Sequence, residues 1–403
     1  MPQYNYIEGG IVAPKGFLAS GVSAGVKKSG KRDVCVIAAE QAVPAAAVFT
    51  KNALAAPPVQ VSRRHVADGR LRAIVANSGN ANACTGQQGI ADAEAMAAAT
   101  ADALGCEPED VFVASTGVIG ERLPMQALMT GIADAVEALD NADGDAAAEA
   151  IMTTDTFLKQ VAVSFEVQGS RYAVAGIAKG SGMIMPNMAT MLAFLTTDAP
   201  LTPEACAEAL LSATEKTFNR ISVDGDTSTN DCAVLIASGA AAGPPIKPET
   251  AAFAEVSEAI EHVSAELARM LVRDGEGATK FITVTVCGAA SENDAFSSAM
   301  AIANSSLFKT AIFGGDANWG RVAMAIGNSS AVIDPDRLEI TFAGLTTCLD
   351  GMAISFDEEA ASAALSEPEV DVVVDLHVGE CEATVWTCDL SYDYVRINGD
   401  YRT

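Results

Sequence analysis

Thr190 is the residue of this sequence best placed to become a nucleophile. It follows Lys179-Gly180-Ser181-Gly182-Met183-Ile184-Met185-Pro186-Asn187-Met188-Ala189, and Met191-Leu192-Ala193-Phe194 carries the chain on into an apolar strand. A threonine opening a strand is ordinarily structural, because β-branched side chains favour extended backbone. Here Gly180, Gly182 and Pro186 can hold a tight path, and Asn187 can support a strained turn by bonding its own backbone. Such a turn presses the Thr190 hydroxyl against the carbonyl of Ala189. Attack there moves the acyl group from nitrogen to oxygen, and hydrolysis of the ester releases a new amino terminus on Thr190. A free α-amine titrates near pH ~8, so it can serve as base for the hydroxyl of its own residue.

The elements that must position this residue alternate along the chain. Period-two or β-branched runs predict strands at Leu71–Ala76, Asp110–Ala114, Gln160–Val167, Arg171–Ala178, Thr190–Leu195, Cys232–Ala237, Phe281–Cys287, Leu338–Phe342, Val370–His377 and Ala383–Thr387. Alanine-rich stretches with helical spacing lie between them, at Asp92–Leu104, Pro124–Leu139, Pro203–Thr217, Glu249–Leu271, Asp294–Ile312 and Glu358–Leu365. Thr202-Pro203-Glu204 and Ser291-Glu292-Asn293-Asp294 are helix starts with capping hydroxyls. Gln168-Gly169-Ser170 reads as a hairpin turn, so the strand leading to Lys179 runs antiparallel to its predecessor. That argues against a purely parallel nucleotide-binding sheet.

A chain of 403 residues, half of them hydrophobic, can bury two or three domain cores. No run approaches the ~18 apolar residues of a membrane span, and the first residues lack the basic and apolar regions of a secretory signal. The expected compartment is the cytoplasm. A net charge of −27 opposes encounters with nucleic acid and anionic membranes. Nine scattered cysteines read as reduced core residues, and His65, His262 and His377 lie far apart, so no metal is expected.

Three other motifs fail on context. Gly21-Val22-Ser23-Ala24-Gly25 has the G-x-S-x-G spacing of a nucleophile elbow, but Ala13-Pro14-Lys15-Gly16 precedes it and Lys27-Lys28-Ser29-Gly30 follows, so it reads as a turn. Asp224–Asp231 resembles a calcium loop but has Thr229 where glycine is needed and Leu235 where the bidentate glutamate belongs; it reads as a polar turn near the active site. Gly180-Ser181-Gly182 lacks the third glycine of a dinucleotide fingerprint, and no cofactor is expected.

The segment Lys179–Phe194 closely resembles the self-cleavage motif of the glutamate N-acetyltransferase, or ornithine acetyltransferase, family. The resemblance extends to Ala13–Phe17, Asn77–Ala83, Ser115–Gly120, Met152–Thr156, Ser222–Asp231, Gly275–Lys280 and Gly314–Arg321, which is essentially the full length. It implies cleavage between Ala189 and Thr190 into an α chain, residues 1–189, and a β chain from 190 that stay associated, with an α2β2 heterotetramer as the expected assembly. It implies arginine biosynthesis by ping-pong transfer of acetyl from N-acetylornithine through Thr190 to glutamate, with acetyl-coenzyme A a possible further donor. Thr116 and Gly117 would form the oxyanion hole, and Thr153, Lys179, Thr190, Glu276, Asn398 and the terminal Thr403 would contact substrate. These types suit an amino-acid ligand: Lys179 can pair with the α-carboxylate and Glu276 with the ornithine ammonium.

The expected fold is α/β, a layered sandwich of helices around mixed or antiparallel sheets over residues 1–277, with a smaller C-terminal α/β domain over 278–403. Two other functions stay open: a self-processing amidase or aminopeptidase with water as acceptor, and a noncatalytic acidic binding protein.

Overall fold

The computed structural model describes residues 4–139, 143–185 and 191–400. Ala189, Thr190 and Thr403 lie outside them. Two compact units are formed: one holds the chain up to Asn219 together with Asp226–Leu271, the other Arg220–Gly225 and the chain from Val272 onward.

The strands of the first unit are β1 (Asn5–Tyr6), β2 (Phe17–Val22), β3 (Val34–Phe49), β4 (Arg70–Asn80), β5 (Val111–Val118), β6 (Lys159–Val167), β7 (Ser170–Lys179) and β8 (Leu192–Thr197). After β9 (Ile221–Ser222), which belongs to the second unit, β10 (Cys232–Ala237) completes the set. The order is β1-β6-β7-β8-β10-β3-β4-β5, with β2 also paired to β3. Only β8–β10 and β4–β5 are parallel, so the sheet is mixed.

β3 is the spine. Its first half pairs with β2 and β4, and its second half with β10, around a register shift between Ala38 and Val43. Its side chains alternate between two cores. Val34, Val36 and Ala38 join Ala73, Val75, Val111 and Val113 against α1 (Pro57–His65), α2 (Gly86–Leu104) and α3 (Met125–Glu137). Cys35 and Ile37 join Ile74 and Phe112 against α4 (Gly144–Ile151). This is the period-two separation a strand enforces, with helical layers taking up both faces. α5 (Pro203–Lys216) and α6 (Ala251–Arg273) complete the unit. Leu267 of α6 comes within 2.8 Å of where a Cβ on Gly176 would stand, so that glycine admits the helix.

In the second unit β9 joins β11 (Phe281–Ala289), β12 (Glu339–Phe342), β13 (Leu345–Leu349), β14 (Met352–Ala353), β15 (Glu369–Asp375) and β16 (Cys381–Cys388), in the order β14-β13-β12-β15-β11-β16-β9. Its core packs against α7 (Glu292–Ala303), α8 (Ser306–Phe313) and α9 (Trp319–Gly327). α10 (Glu358–Ala364) and α11 (Tyr392–Asp400) follow. The fold is the mixed α/β arrangement expected.

Several local expectations hold to the residue. Gln168 and Gly169 both have positive φ, 51° and 81°, making the two-residue turn whose twist suits a hairpin. Thr202 and Ser291 accept from the N–H groups of Ala205 and Asp294 as caps. Others are corrected. The helix expected over Asp294–Ile312 is two helices, because Ser305 caps α8 and interrupts the run. The strand expected over Asp110–Ala114 runs on through Gly117 to Val118. A strand, β2, does precede Ser23, but the next regular element is β3 rather than a helix, so the elbow still fails.

Gly21 of β2 faces α4 with no room to spare: a Cβ there would lie 1.9 Å from the carbonyl oxygen of Ala146. Gly21→Val is expected to cost at least about 2 kcal/mol by overpacking. Gly169→Ala, strained only through its φ, should cost about 1 kcal/mol. Urea titration of the two variants checks the difference.

Candidate functional site

The oxyanion candidates stand in β5, whose parallel ladder with β4 matches Ser78 to Thr116 and Gly79 to Gly117. The two backbones come so close there that a Cβ on Gly117 would meet the carbonyl carbon of Gly79 at 2.3 Å and the nitrogen of Asn80 at 2.5 Å. Gly117 also has φ 133°, outside the range of ordinary L-residues. Glycine is therefore required on two counts, and the register of β4 on β5 depends on it.

Lys179 is the last residue of β7. Its side chain is 8% exposed, and its Nζ donates to Thr116 Oγ1 at 3.3 Å. A hydroxyl that accepts from an ammonium keeps its own hydrogen to donate, and its dipole is strengthened. Thr116 and Lys179 together thus offer positive potential to an oxygen acquiring negative charge.

Lys179 is coupled in turn to Asp155. Asp155 and Lys159 are a 2.5 Å ion pair with both side chains fully buried. The carboxylate also accepts from the N–H of Gly180 at 2.7 Å through Oδ1 and from the N–H of Thr153 at 2.8 Å through Oδ2. Burial pushes its pKa up, but the ammonium groups of Lys179 and Lys159 and the Gly180 N–H outweigh it and hold the carboxyl at about 2. Thr154 and Ser181 share a hydroxyl–hydroxyl bond of 2.6 Å beside it. Thr153, Lys179 and Gly180 thus meet around one carboxylate. Met152-Thr153-Thr154-Asp155-Thr156 was visible as a motif, but a role for Asp155 was not; an acid four residues before a lysine, at a strand entry, was the available signal.

The expected nucleophile is framed by its neighbours in sequence. Leu192 opens β8, paired with Lys179 on one side and with Cys232 of β10 on the other. The Cys232 N–H donates to the carbonyl of Met191 at 3.0 Å.

Glu276 and Asn398 come together in the second unit, Asn398 Nδ2 donating to Glu276 Oε2 at 2.8 Å. The loop of Glu276 is pinned by Ser391, whose hydroxyl donates to the Gly277 carbonyl at 2.5 Å, and by Tyr394, whose N lies 2.5 Å from where a Gly277 Cβ would stand. Asn398 stands on α11, which is anchored by Tyr394 Oη donating to Asp224 at 3.3 Å.

Comparison with known proteins gives one family. The ArgJ family model matches residues 18–403. The arginine biosynthesis bifunctional protein ArgJ of Symbiobacterium thermophilum is 51% identical over 400 residues, 99% of this chain and 100% of that one. Its counterpart of the same name in Caldanaerobacter subterraneus is 50% identical over 401 residues, 98% and 99% of the two chains. A crystal structure of arginine biosynthesis bifunctional protein argJ from Bacillus halodurans is similar with a TM-score of 0.50 and 44% identity, over 51% of this chain and 97% of that one.

Asp155→Asn leaves the Lys159 ammonium buried without its counter-charge and is expected to cost about 3–5 kcal/mol. The depressed pKa sets a sign: its stabilisation is complete above the ordinary carboxyl value near pH ~4 and is lost as pH falls through about 2. Acid titration of stability should therefore show a loss across that window in the wild type that is missing from a folded Asp155→Asn variant.

Proposed function

Given that the chain belongs to the ArgJ family, we propose that it cuts itself between Ala189 and Thr190 and then carries acetyl from N-acetylornithine to glutamate on the Thr190 oxygen. The observation that carries this reading is the meeting of Lys179 with Thr116, beside a glycine that tolerates no side chain. The B. halodurans chain adds support, because half of this chain matches nearly all of it, a proportion that fits a chain cut near its middle.

In the first half-reaction the Thr190 hydroxyl attacks the acetyl carbonyl while the α-amine takes its proton. The carbonyl oxygen becomes an oxyanion, stabilised by the Thr116 hydroxyl and the Gly117 N–H. The C–N bond then breaks, the proton passes to the departing ornithine amine, and acetyl-Thr190 remains. In the second half-reaction the neutral α-amine of glutamate attacks the ester. The C–O bond breaks, the proton lost by that amine returns to the Thr190 oxygen, and N-acetylglutamate leaves. Preorganised donors of this kind contribute about 2.7–4 kcal/mol each.

Lys179 pairs with the substrate α-carboxylate, Thr153 bonds the amide or carboxylate, Glu276 receives the ornithine ammonium, and Asn398 and Thr403 complete the substrate contacts. The net charge of −27 makes Lys179 the more important for holding carboxylate substrates. The relatives are named bifunctional, and we extend the proposal to acetyl-coenzyme A as a second acetyl donor. No resident cofactor is required. The assembly is α2β2, and nine free cysteines support a reducing compartment, the cytoplasm.

Intact-mass analysis should give two chains for the wild type and one for Thr190→Ala. An undivided wild-type chain with full activity would sink the mechanism. Glutamate should become N-acetylglutamate with either N-acetylornithine or acetyl-coenzyme A supplied. Release of acetate without transfer would point instead to an amidase. Glu276→Gln is expected to raise KM for N-acetylornithine at least about tenfold, the loss of one charge-assisted bond, as initial rates will show.

A further inference from the structure

The loop Asp226–Asp231 has no part in the roles assigned so far, yet its contacts converge on the parts that do the chemistry. Asn230 is 5% exposed. Both hydrogens of its amide are used, one on the carbonyl of Ala81 at 2.5 Å and one on the carbonyl of Ser115 at 2.9 Å. Its Oδ1 accepts from the Thr229 hydroxyl at 2.7 Å.

The carbonyl of Ser115 and the N–H of Thr116 belong to one planar peptide, so holding the first sets the second. At the other end, the Ala81 N–H donates to the carbonyl of Val118 at 2.9 Å. Thr116 and Gly117 therefore lie between two anchored carbonyls, those of Ser115 and Val118, and Asn230 together with Ala81 closes that frame. Ser115 is held further by its hydroxyl, which donates to Asn77 Oδ1 at 2.6 Å.

The same loop grips both described residues that flank 186–190. The Thr227 hydroxyl donates to the carbonyl of Met185 at 2.9 Å, and one residue beyond the loop the Cys232 N–H donates to Met191. The loop itself is stiff. The carbonyls of Thr227, Ser228, Thr229 and Asp231 accept, in turn, from Asn52 Nδ2, the Thr50 hydroxyl, the Ala56 N–H and the Thr50 N–H.

We propose that Asn230 is a positioning residue for the acyl-transfer chemistry, fixing the peptide that leads into Thr116 and Gly117. Thr227 holds the head of the segment that carries the Ala189–Thr190 bond. The loop thereby ties the peptide leading into the oxyanion donors and Met185, which precedes the segment to be cut, to one rigid element. This rests on the acyl-transfer reading above. Asparagine suits the position because it offers two donors and an acceptor on a short stem, whereas aspartate has the same shape and would turn an acceptor toward two carbonyls.

The test is active-site titration: the burst of acetyl-enzyme from N-acetylornithine counts competent sites, and kcat is expressed per titrated site. Asn230→Ala and Asn230→Asp are expected to slow precursor cleavage at least tenfold. In the cleaved material they should lower kcat per site about 10–100-fold, below the loss from removing an oxyanion donor outright, with KM for N-acetylornithine within twofold of wild type. Thr227→Val should slow cleavage, and Thr227→Ser should restore it. A fall in the number of titratable sites at unchanged kcat per site would mean that Asn230 serves folding alone, and overturns the proposal. So does unchanged cleavage in Thr227→Val for that residue's part. Wild-type protein that neither divides nor moves acetyl would overturn the acyl-transfer reading and this proposal with it; an active wild type with an equally active Asn230→Ala would overturn this proposal alone.

Discussion

The carboxylate of Asp155 lies out of reach of water, and it stays ionised because four groups surround it: two ammonium groups and two backbone N–H donors. Burying an ion costs several kcal/mol even after relaxation, and that cost is recovered only when its partners are close and well aligned. The consequence runs through the first unit. Thr153, Lys159, Lys179 and Gly180 come from the loop after α4, the start of β6, the end of β7 and the residue beyond it, and none can shift without weakening the charge balance. Lys179 in turn reaches Thr116. A polar network of this kind is rigid because a half-satisfied version is so unfavourable, and rigidity is what a site needs if its dipoles are to face a transition state without reorganising.

Backbone proximity is the second constraint, and it works through absence of side chains. Gly117 lets β5 approach β4 at the point where both strands end, while Gly176 lets α6 lie against β7. Thr116 near the end of β5 and Lys179 at the end of β7 meet through their side chains although four strands separate β5 from β7 in the sheet order. The negative surface and the buried lysines are two separate electrostatic regimes: the first is screened within about 8 Å at physiological salt, and the second acts at hydrogen-bond distance in a poorly polarisable interior.

Much of this could be read from the amino-acid order. The strands of the hairpin, β10, and β11, β12, β15 and β16 of the second sheet, with the capped starts of α5 and α7, follow from alternation and capping chemistry, which are local; β13 and β14 do not. β3 was missed as a strand because residues such as Glu40, Gln41 and Pro44 interrupt its pattern where the strand shifts register. The short helices α1, α4, α9 and α11 are not among the expected elements, whereas the equally short α10 is. Thr116, Gly117 and Lys179 were legible through a family resemblance that covers the chain. Asp155 and Asn230 were not, because an acid or an amide is recognised as an anchor only when the carbonyls and N–H groups it serves, distant in sequence, are brought to it.

The order of strands in the first sheet gives the proposed cut a meaning for the protein's lifetime. β8 and β10 follow residue 190 and lie side by side, with β7 on one flank and β3 on the other, both from before it. Once the bond is broken, the middle of the sheet belongs to one molecule and its two wings to another, interleaved through two ladders. Assembly from one chain asks only for loop closure, whose entropic cost grows slowly with length. Reassembly from two chains must also surrender translational and rotational freedom, on the order of 4–15 kcal/mol. The precursor would thus fold with a covalent connection that the mature protein has discarded, and the mature state would endure through slow unfolding rather than through any ease of return.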